Sequence, residues 1–291
     1  MFKDDRLYGL YLESSLHVGS GTSLGAIDLP IQREKATNLP MVPGSSVKGA
    51  LRELTRMEGK TWENQVFGPE ADVRTTTIHY AGAASFADLQ LLYFPVKSLR
   101  ETFVWVTSPY LIQRFLGKIP KDPFASKKIP EVTEETCLIA EGASDLIVNN
   151  KVILEEFAFN ANAGSYAGEL GGWLARILEG KPDYIQKKAK KHVVVVSDTV
   201  MDHFVSYSMP VTARIQIEKD TRTAENLWYE EFLPPETVFI GKVASTTSCG
   251  FEKTPSLPSE TVLTELGNLP STFMLGGDKT TGRGWVTVKW L

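Results

Sequence analysis

The sequence predicts an α+β fold, and three observations carry the prediction. Strand-like and helix-like runs are intermixed without the βαβα rhythm of a doubly wound parallel sheet. Of the 291 residues, 42% are hydrophobic and 23% charged, the make-up of a folded chain that can bury a core. No internal repeat with a period of roughly 20–50 residues is visible, which excludes stacked-repeat architectures.

The elements follow in order. Residues 7–12 are apolar on both faces and read as a buried strand. A long polar turn comes next, in which Gly19, Gly21 and Gly25 give backbone freedom and Asp28 stands just before Pro30. Pro40 and Pro43 block helix up to Gly44, after which Ser45 or Ser46 caps a helix to about residue 57. On that helix Val47, Leu51 and Leu54 make an apolar stripe, and Lys48, Arg52 and Arg56 a basic one. Residues 89–96 and 102–107 read as two strands of a meander, and Ser108-Pro109 opens a helix to about residue 116. Residues 118–129 read as a loop. The Gly- and Ala-rich residues 161–172 suit a turn before a short helix at 173–178. Residues 192–196 are a buried strand, and Asp198 caps a helix through 204. Runs 211–217 and 226–232, separated by the polar stretch 218–225, predict a hairpin with a long charged tip. A strand at 237–243, a short helix at 260–266 and a last strand at 285–291 complete the chain.

Composition narrows the function. Lys and Arg number 31 against 35 Asp and Glu, a net charge of −4, so any nucleic-acid surface must be a local stripe. Cys137 and Cys249 stand far apart, which excludes zinc ribbons and disulfide frameworks and fits a reducing compartment. Asp4, Asp5 and Arg6 occupy the place where a secretory signal needs an apolar run, and no stretch approaches the ~18 apolar residues of a membrane span. The expectation is a cytoplasmic protein with no membrane partner. Serine-hydrolase elbows and His-Glu-x-x-His zinc helices are absent.

Two loops carry the chemistry. Gly276, Gly277, Gly282 and Gly284, with Lys279 and Arg283 between them, let backbone N–H groups approach a phosphate, or else make a tight strand connection. His17 and Asp28 share the loop that leaves the first strand. His17 is a general acid or a hydrogen-bonded structural histidine, and Asp28 a metal ligand, a proton acceptor or a turn cap. His79 and His203 read as satisfied surface or core residues, and Lys187, Lys188, Lys190 and Lys191 as a solvated face, with phosphate neutralisation as the alternative. Glu230 and Glu231 read as covering an exposed sheet face, with a second catalytic carboxylate as the alternative.

The order of these segments resembles a known family. The string from His17 to Thr22, then Gly25-Ala-Ile-Asp-Leu-Pro-Ile-Gln-Arg-Glu34, then Leu39-Pro-Met-Val-Pro-Gly-Ser-Ser-Val-Lys-Gly-Ala-Leu-Arg52 resembles the start of RAMP-superfamily CRISPR proteins. Within them it is similar to the repeated backbone subunit of the type III-B (Cmr) effector complex. The loop 276–284 looks like the family's glycine-rich loop, and residues 226–235 are similar to its late strand and turn.

The resemblance implies a single RAMP domain over residues 1–291. It implies a ferredoxin-like, RRM-related palm with a β-hairpin thumb; we place the thumb at about 210–233, the hairpin with the long tip, which leaves the palm about 1–209 and 234–291 with insertions at about 60–190. It implies copies of the chain polymerised along a CRISPR guide RNA, beside other subunits of the effector complex. It further implies that each copy would cleave complementary single-stranded target RNA with Mg²⁺ or Mn²⁺. Asp28 matches the family's essential aspartate and His17 its loop histidine. RNA carries its own nucleophile, the 2′-OH, so positioning and charge stabilisation suffice. A carboxylate is a weak base near neutral pH, which favours Asp28 holding the metal or orienting the 2′-OH. Lys48, Arg52, Arg56, Lys279, Arg283 and the four loop glycines are the expected RNA contacts. Two alternatives stand beside this: a catalytically inactive guide-RNA scaffold, and a guide-processing RAMP ribonuclease.

Overall fold

The computed structural model describes residues 2–69, 80–219, 222–249 and 255–291, so His79 lies outside the described residues. The first part of the chain forms β1 (Asp4–Leu12), β2 (Met41–Val42), α1 (Gly44–Met57), α2 (Glu63–Phe67), β3 (Ala84–Phe86), β4 (Leu89–Lys97), β5 (Phe103–Thr107) and α3 (Pro109–Leu116). The middle forms β6 (Thr136–Ala140), β7 (Ile147–Val148), β8 (Lys151–Leu154), β9 (Phe157–Gly164), α4 (Ser165–Ile177), α5 (Asp183–Lys191), β10 (Val193–Val195) and α6 (Asp198–Tyr207). Then come β11 (Val211–Ile217), β12 (Ala224–Glu231), β13 (Val238–Ser245), α7 (Ser259–Gly267), β14 (Thr272–Met274) and β15 (Trp285–Trp290).

Thirteen of these strands make one mixed sheet, ordered β14-β15-β1-β13-β4-β5-β10-β6-β9-β8-β7, with β2 on β4 and β3 on β13. β4 joins the two halves, since residues 90–93 pair with β13 and residues 94–97 with β5. The α+β expectation therefore holds as a mixed α/β chain on one large mixed sheet. Side chains alternate across it. Leu10, Leu12, Val104, Val106, Val194 and Phe239 enter one core with α1, α6 and α7. Tyr11, Trp105, Val193, Val195 and Ile240 enter the other with α4 and most of α3. Burial on both faces explains why these strands read as continuous apolar runs. Among the described residues no helix is long and apolar enough to cross a membrane.

Several local expectations are corrected. Neither Ser45 nor Ser46 caps α1; Asp88 Oδ1 accepts the Gly44 N–H at 2.8 Å, a partner 44 residues away. Asp198 does not cap α6, where Ser197 Oγ accepts the Val200 N–H; Asp198 Oδ1 instead accepts the Tyr110 N–H at the start of α3. The Gly/Ala segment is not a turn but the end of β9 and the start of α4. Its Gly171 lets α5 approach, because a Cβ there would sit 2.5 Å from Lys190 O. The loop after α3 holds a 3₁₀ turn at Pro123–Ser126. The lysine run is not wholly solvated, for Lys188 is 5% exposed and donates to Glu101 O at 2.6 Å.

The remaining two strands, β11 and β12, pair antiparallel as a separate hairpin. Ile215, Ile217, Leu227 and Tyr229 are exposed on it. The root of this hairpin meets the loop after β1.

Candidate functional site

The loop after β1 is stitched to the hairpin root by main-chain bonds. Leu16 exchanges N–H···O bonds of 3.0 and 2.9 Å with Leu233. Farther on, the Leu29 N–H donates to Tyr229 O and the Glu231 N–H to Leu29 O, each at 3.0 Å, so the chain around Leu29 runs parallel along β12. These bonds bring Asp28 and His17 to the same edge of one strand. The Tyr229 N–H donates to Asp28 Oδ2 at 2.8 Å. His17 Nδ1 lies 2.8 Å from Glu231 O, and since a carbonyl only accepts, Nδ1 carries the proton and Nε2 is the ring atom left for other work. The two anchoring residues, Tyr229 and Glu231, are two strand positions apart, roughly 7 Å between Cα atoms. Both side chains are half-buried. Gly19 makes room for the ring, because a Cβ there would stand 2.7 Å from His17 Nε2.

The glycine loop closes over the other side of His17. The Gly277 N–H donates to His17 O at 3.0 Å, Gly284 N–H to Ser15 O at 2.9 Å, and Gly282 N–H to Lys279 O at 3.1 Å. Three of the four glycines thus spend their N–H groups inside the protein, which corrects the phosphate-cradle reading in favour of a tight connection between β14 and β15. Gly276 and Gly284 have φ of +77° and +83°, and a Cβ at Gly284 would lie 2.0 Å from Leu275 O, so no other residue fits there.

The expected cations separate into two groups. Arg52 and Arg56 both bind Glu63, at 2.8 Å each, and these bonds, Arg56 foremost, hold the Glu63 carboxyl below its usual range. Lys279 reaches Glu53 on α1 at 2.8 Å. Lys48 meets no carboxylate among the described residues, and the Arg283 guanidinium stacks 4.6 Å from the Phe232 ring centroid, with His17 edge-on to the same ring at 5.6 Å. Arg283 is thereby gathered to His17, whereas Lys48, Arg52 and Arg56 stay on α1.

Glu230 and Glu231 do not cover an exposed face: they are 7% and 4% exposed. Glu231 accepts Arg33 Nη2 at 2.6 Å and the Ile31 N–H at 3.0 Å. Glu230 accepts Arg214 Nε at 2.8 Å, and Arg214 Nη2 continues to Asp278 Oδ2 at 2.7 Å. Sequence reasoning passed over Arg214, Arg33 and Phe232. For Arg214 a signal existed, since a hairpin at this register sets it diagonal to Glu230 on one face. His203 pairs with Glu156 at the surface. Burial pushes the Cys137 thiol up to about 12, which removes it as a nucleophile.

Among the described residues no group of three or more His, Cys, Asp or Glu is placed to hold a metal ion. Asp28 has Oδ2 engaged by Tyr229 and, among the described residues, no hydrogen-bond partner on Oδ1. One free carboxylate oxygen fits a hard cation of the Mg²⁺ type completed by water and substrate phosphate oxygens, not an all-protein cage.

The chain matches the RAMP superfamily model over residues 10–287. It is 34% identical over 290 residues to the CRISPR system Cmr endoribonuclease Cmr4 of Pyrococcus furiosus, covering 97% of this chain and 94% of that protein. It superimposes on the crystal structure of oligomeric Cmr4 from the same organism with a TM-score of 0.72 and 27% identity, covering 99% and 98% of the two chains. A chain in the cryo-EM structure of type III-B Cmr-beta bound to cognate target RNA shares the fold, with a TM-score of 0.71 at 22% identity over 99% of this chain and 98% of that one.

Proposed function

The chain belongs to the RAMP superfamily, and from that premise we propose that it is the target-RNA-cleaving backbone subunit of a Cmr-type CRISPR effector complex, with Asp28 and His17 at its active site. The relative's endoribonuclease activity, over nearly the whole of both chains, supports the activity. The observation that carries the site is that Asp28 and His17, eleven positions apart in sequence, are fixed on one edge of β12 with Oδ1 and Nε2 uncommitted.

The proposed partners are a CRISPR guide RNA, single-stranded target RNA, other effector subunits and further copies of the chain, assembled in the cytoplasm. The β11–β12 hairpin serves as the thumb, residues 210–233, and the remainder as a ferredoxin-like palm with insertions at 60–190. Guide and target phosphates are met by Lys48 and Arg283, and by Arg52, Arg56 and Lys279 once they yield Glu63 and Glu53. Base pairing supplies the specificity.

Cleavage needs the 2′-oxygen in line with the adjacent phosphorus, and the 5′ oxygen leaves with a proton. Asp28 orients the 2′-OH, whose proton passes to solvent as the 2′-oxygen bonds to phosphorus, or holds the cation. The imidazolium form of His17, its ring fixed by the Nδ1–H bond to Glu231 O, gives its Nε2 proton to the 5′ oxygen as the P–O5′ bond breaks. Asp28 would hold Mg²⁺ or Mn²⁺, which when bound would supply charge stabilisation at the reacting phosphate.

The test is cleavage of end-labelled RNA by complex assembled on a complementary guide, comparing wild type with Asp28→Ala, each with Mg²⁺ or with chelator. Regularly spaced products that need both the aspartate and the metal are expected. Cutting by the variant at the wild-type rate would move catalysis to another subunit and leave this chain a scaffold.

A further inference from the structure

We propose that Arg214 is a positioning residue for RNA cleavage that acts through His17; this rests on the active-site assignment above. His17 is held from two sides. Its Nδ1–H donates to Glu231 O on β12, and its carbonyl accepts the Gly277 N–H of the glycine loop. The direction of Nε2 therefore depends on the separation of β12 from that loop, two segments about 46 positions apart in sequence.

Arg214, on β11, spans that separation. Its Nε–H donates to Glu230 Oε2 at 2.8 Å and its Nη2–H to Asp278 Oδ2 at 2.7 Å. A guanidinium presents its donors in a rigid planar fork, so the two bonds fix distance and angle together, which an ammonium on a flexible stem does not do. Asp278 itself sits at φ +58°, a left-handed conformation unusual outside glycine, and its carbonyl accepts from Thr281 N–H. The salt bridge thus anchors the loop at its least relaxed residue. Phe232 completes the coupling: His17 packs edge-on at 5.6 Å, and the guanidinium carbons of Arg283 and Arg214 lie 4.6 and 6.0 Å from its centroid. Arg214 works through these contacts and leaves the proton transfer to His17.

The experiment uses guide-assembled complex and single-turnover cleavage at saturating target. Arg214→Gln should lower the rate on the order of 10- to 100-fold, the usual consequence of a misplaced catalytic group, with target affinity unchanged. Arg214→Lys, able to hold one carboxylate but not both, should recover only part of the rate. The deciding measurement is a double-mutant cycle. In a His17→Ala background, Arg214→Gln should cost nothing further, because the group it positions is gone. Equal, multiplying losses in both backgrounds, or a wild-type rate for Arg214→Gln, would overturn the proposal. Should Arg214→Gln fail to assemble, the cycle is run with Arg214→Lys and the same two results decide. Failure of the nuclease assignment shows separately, as full cutting by Asp28→Ala.

Discussion

Asp28 and His17 lie along one edge of β12, half-exposed, each with one polar atom anchored to main chain and one left over. Glu230 and Glu231, on β12 itself, are buried, and their oxygens go to Arg214, Trp228, Arg33 and the Ile31 N–H. The four side chains are close neighbours, yet only the first pair retains anything to offer a ligand. A buried carboxylate whose oxygens are all engaged by cations and N–H groups is a fastener, and its removal strands a charge. The same division recurs on α1, where Arg52 and Arg56 are spent on Glu63 while Lys48 is not.

The sharpest way to break this comparison is Asp28→Asn. The amide keeps an oxygen for the Tyr229 N–H but loses the charge, so cleavage should fall on the order of 10²- to 10⁴-fold with the unfolding midpoint unmoved. Single-turnover cleavage beside denaturant unfolding checks it. A midpoint that fell with the rate would class Asp28 with the fasteners. Glu231→Ala should do the reverse. It leaves Arg33 and the Ile31 N–H unpaired at a buried point, and the unfolding free energy should drop by about 3–5 kcal/mol. Unchanged stability would mean that Glu231 is not sealed at all.

The elements of the fold were largely legible, because apolar runs of strand length and Pro-Gly punctuation mark them locally. β1, β4, β5, α3, the β11–β12 hairpin and β15 lie where the pattern puts them. What local pattern could not reveal was partnership. Asp198 has the chemistry of a cap and is one, but for α3, 88 residues away, and Asp88 does the same for α1. Glu230 and Glu231 look like surface residues until the chain at 29–33 folds over them. At the site, the residue types of Asp28 and His17 pointed to function, but their meeting on β12 is a tertiary fact with no trace in spacing.

A smaller effect separates the cations. Lys48→Gln should weaken guide binding and lower its salt slope by about one unit, the signature of one lost phosphate contact. Arg52→Gln should change the slope less, because Arg52 gives up Glu63 and Asn64 before it can neutralise a phosphate. Binding titrations over a range of salt concentrations check both, and equal slopes for the two variants would erase the distinction on α1.

Glu236 offers the finest test, because it is half-buried and, among the described residues, has no cation in hydrogen-bond contact. It sits between β12 and β13 at φ +71°, accepts the Tyr11 O–H at 2.5 Å, and its main-chain carbonyl accepts from Trp105 Nε1 at 2.9 Å. Burial raises its carboxyl above the usual range, and the Tyr11 bond only partly offsets this. Between the unfolded and folded values the native chain therefore holds more protons than the unfolded one. Its stabilising contribution is complete below the unfolded value and is lost as pH rises through the folded value. Glu236→Gln keeps an acceptor for Tyr11 but cannot ionise. The difference in stability between wild type and variant, followed by denaturant unfolding from about pH 4 to pH 8, should thus shift toward the variant as pH rises and then level off. A difference that stays flat across the range would mean that Glu236 ionises in the fold as freely as in water, and would place it with the open groups rather than the sealed ones.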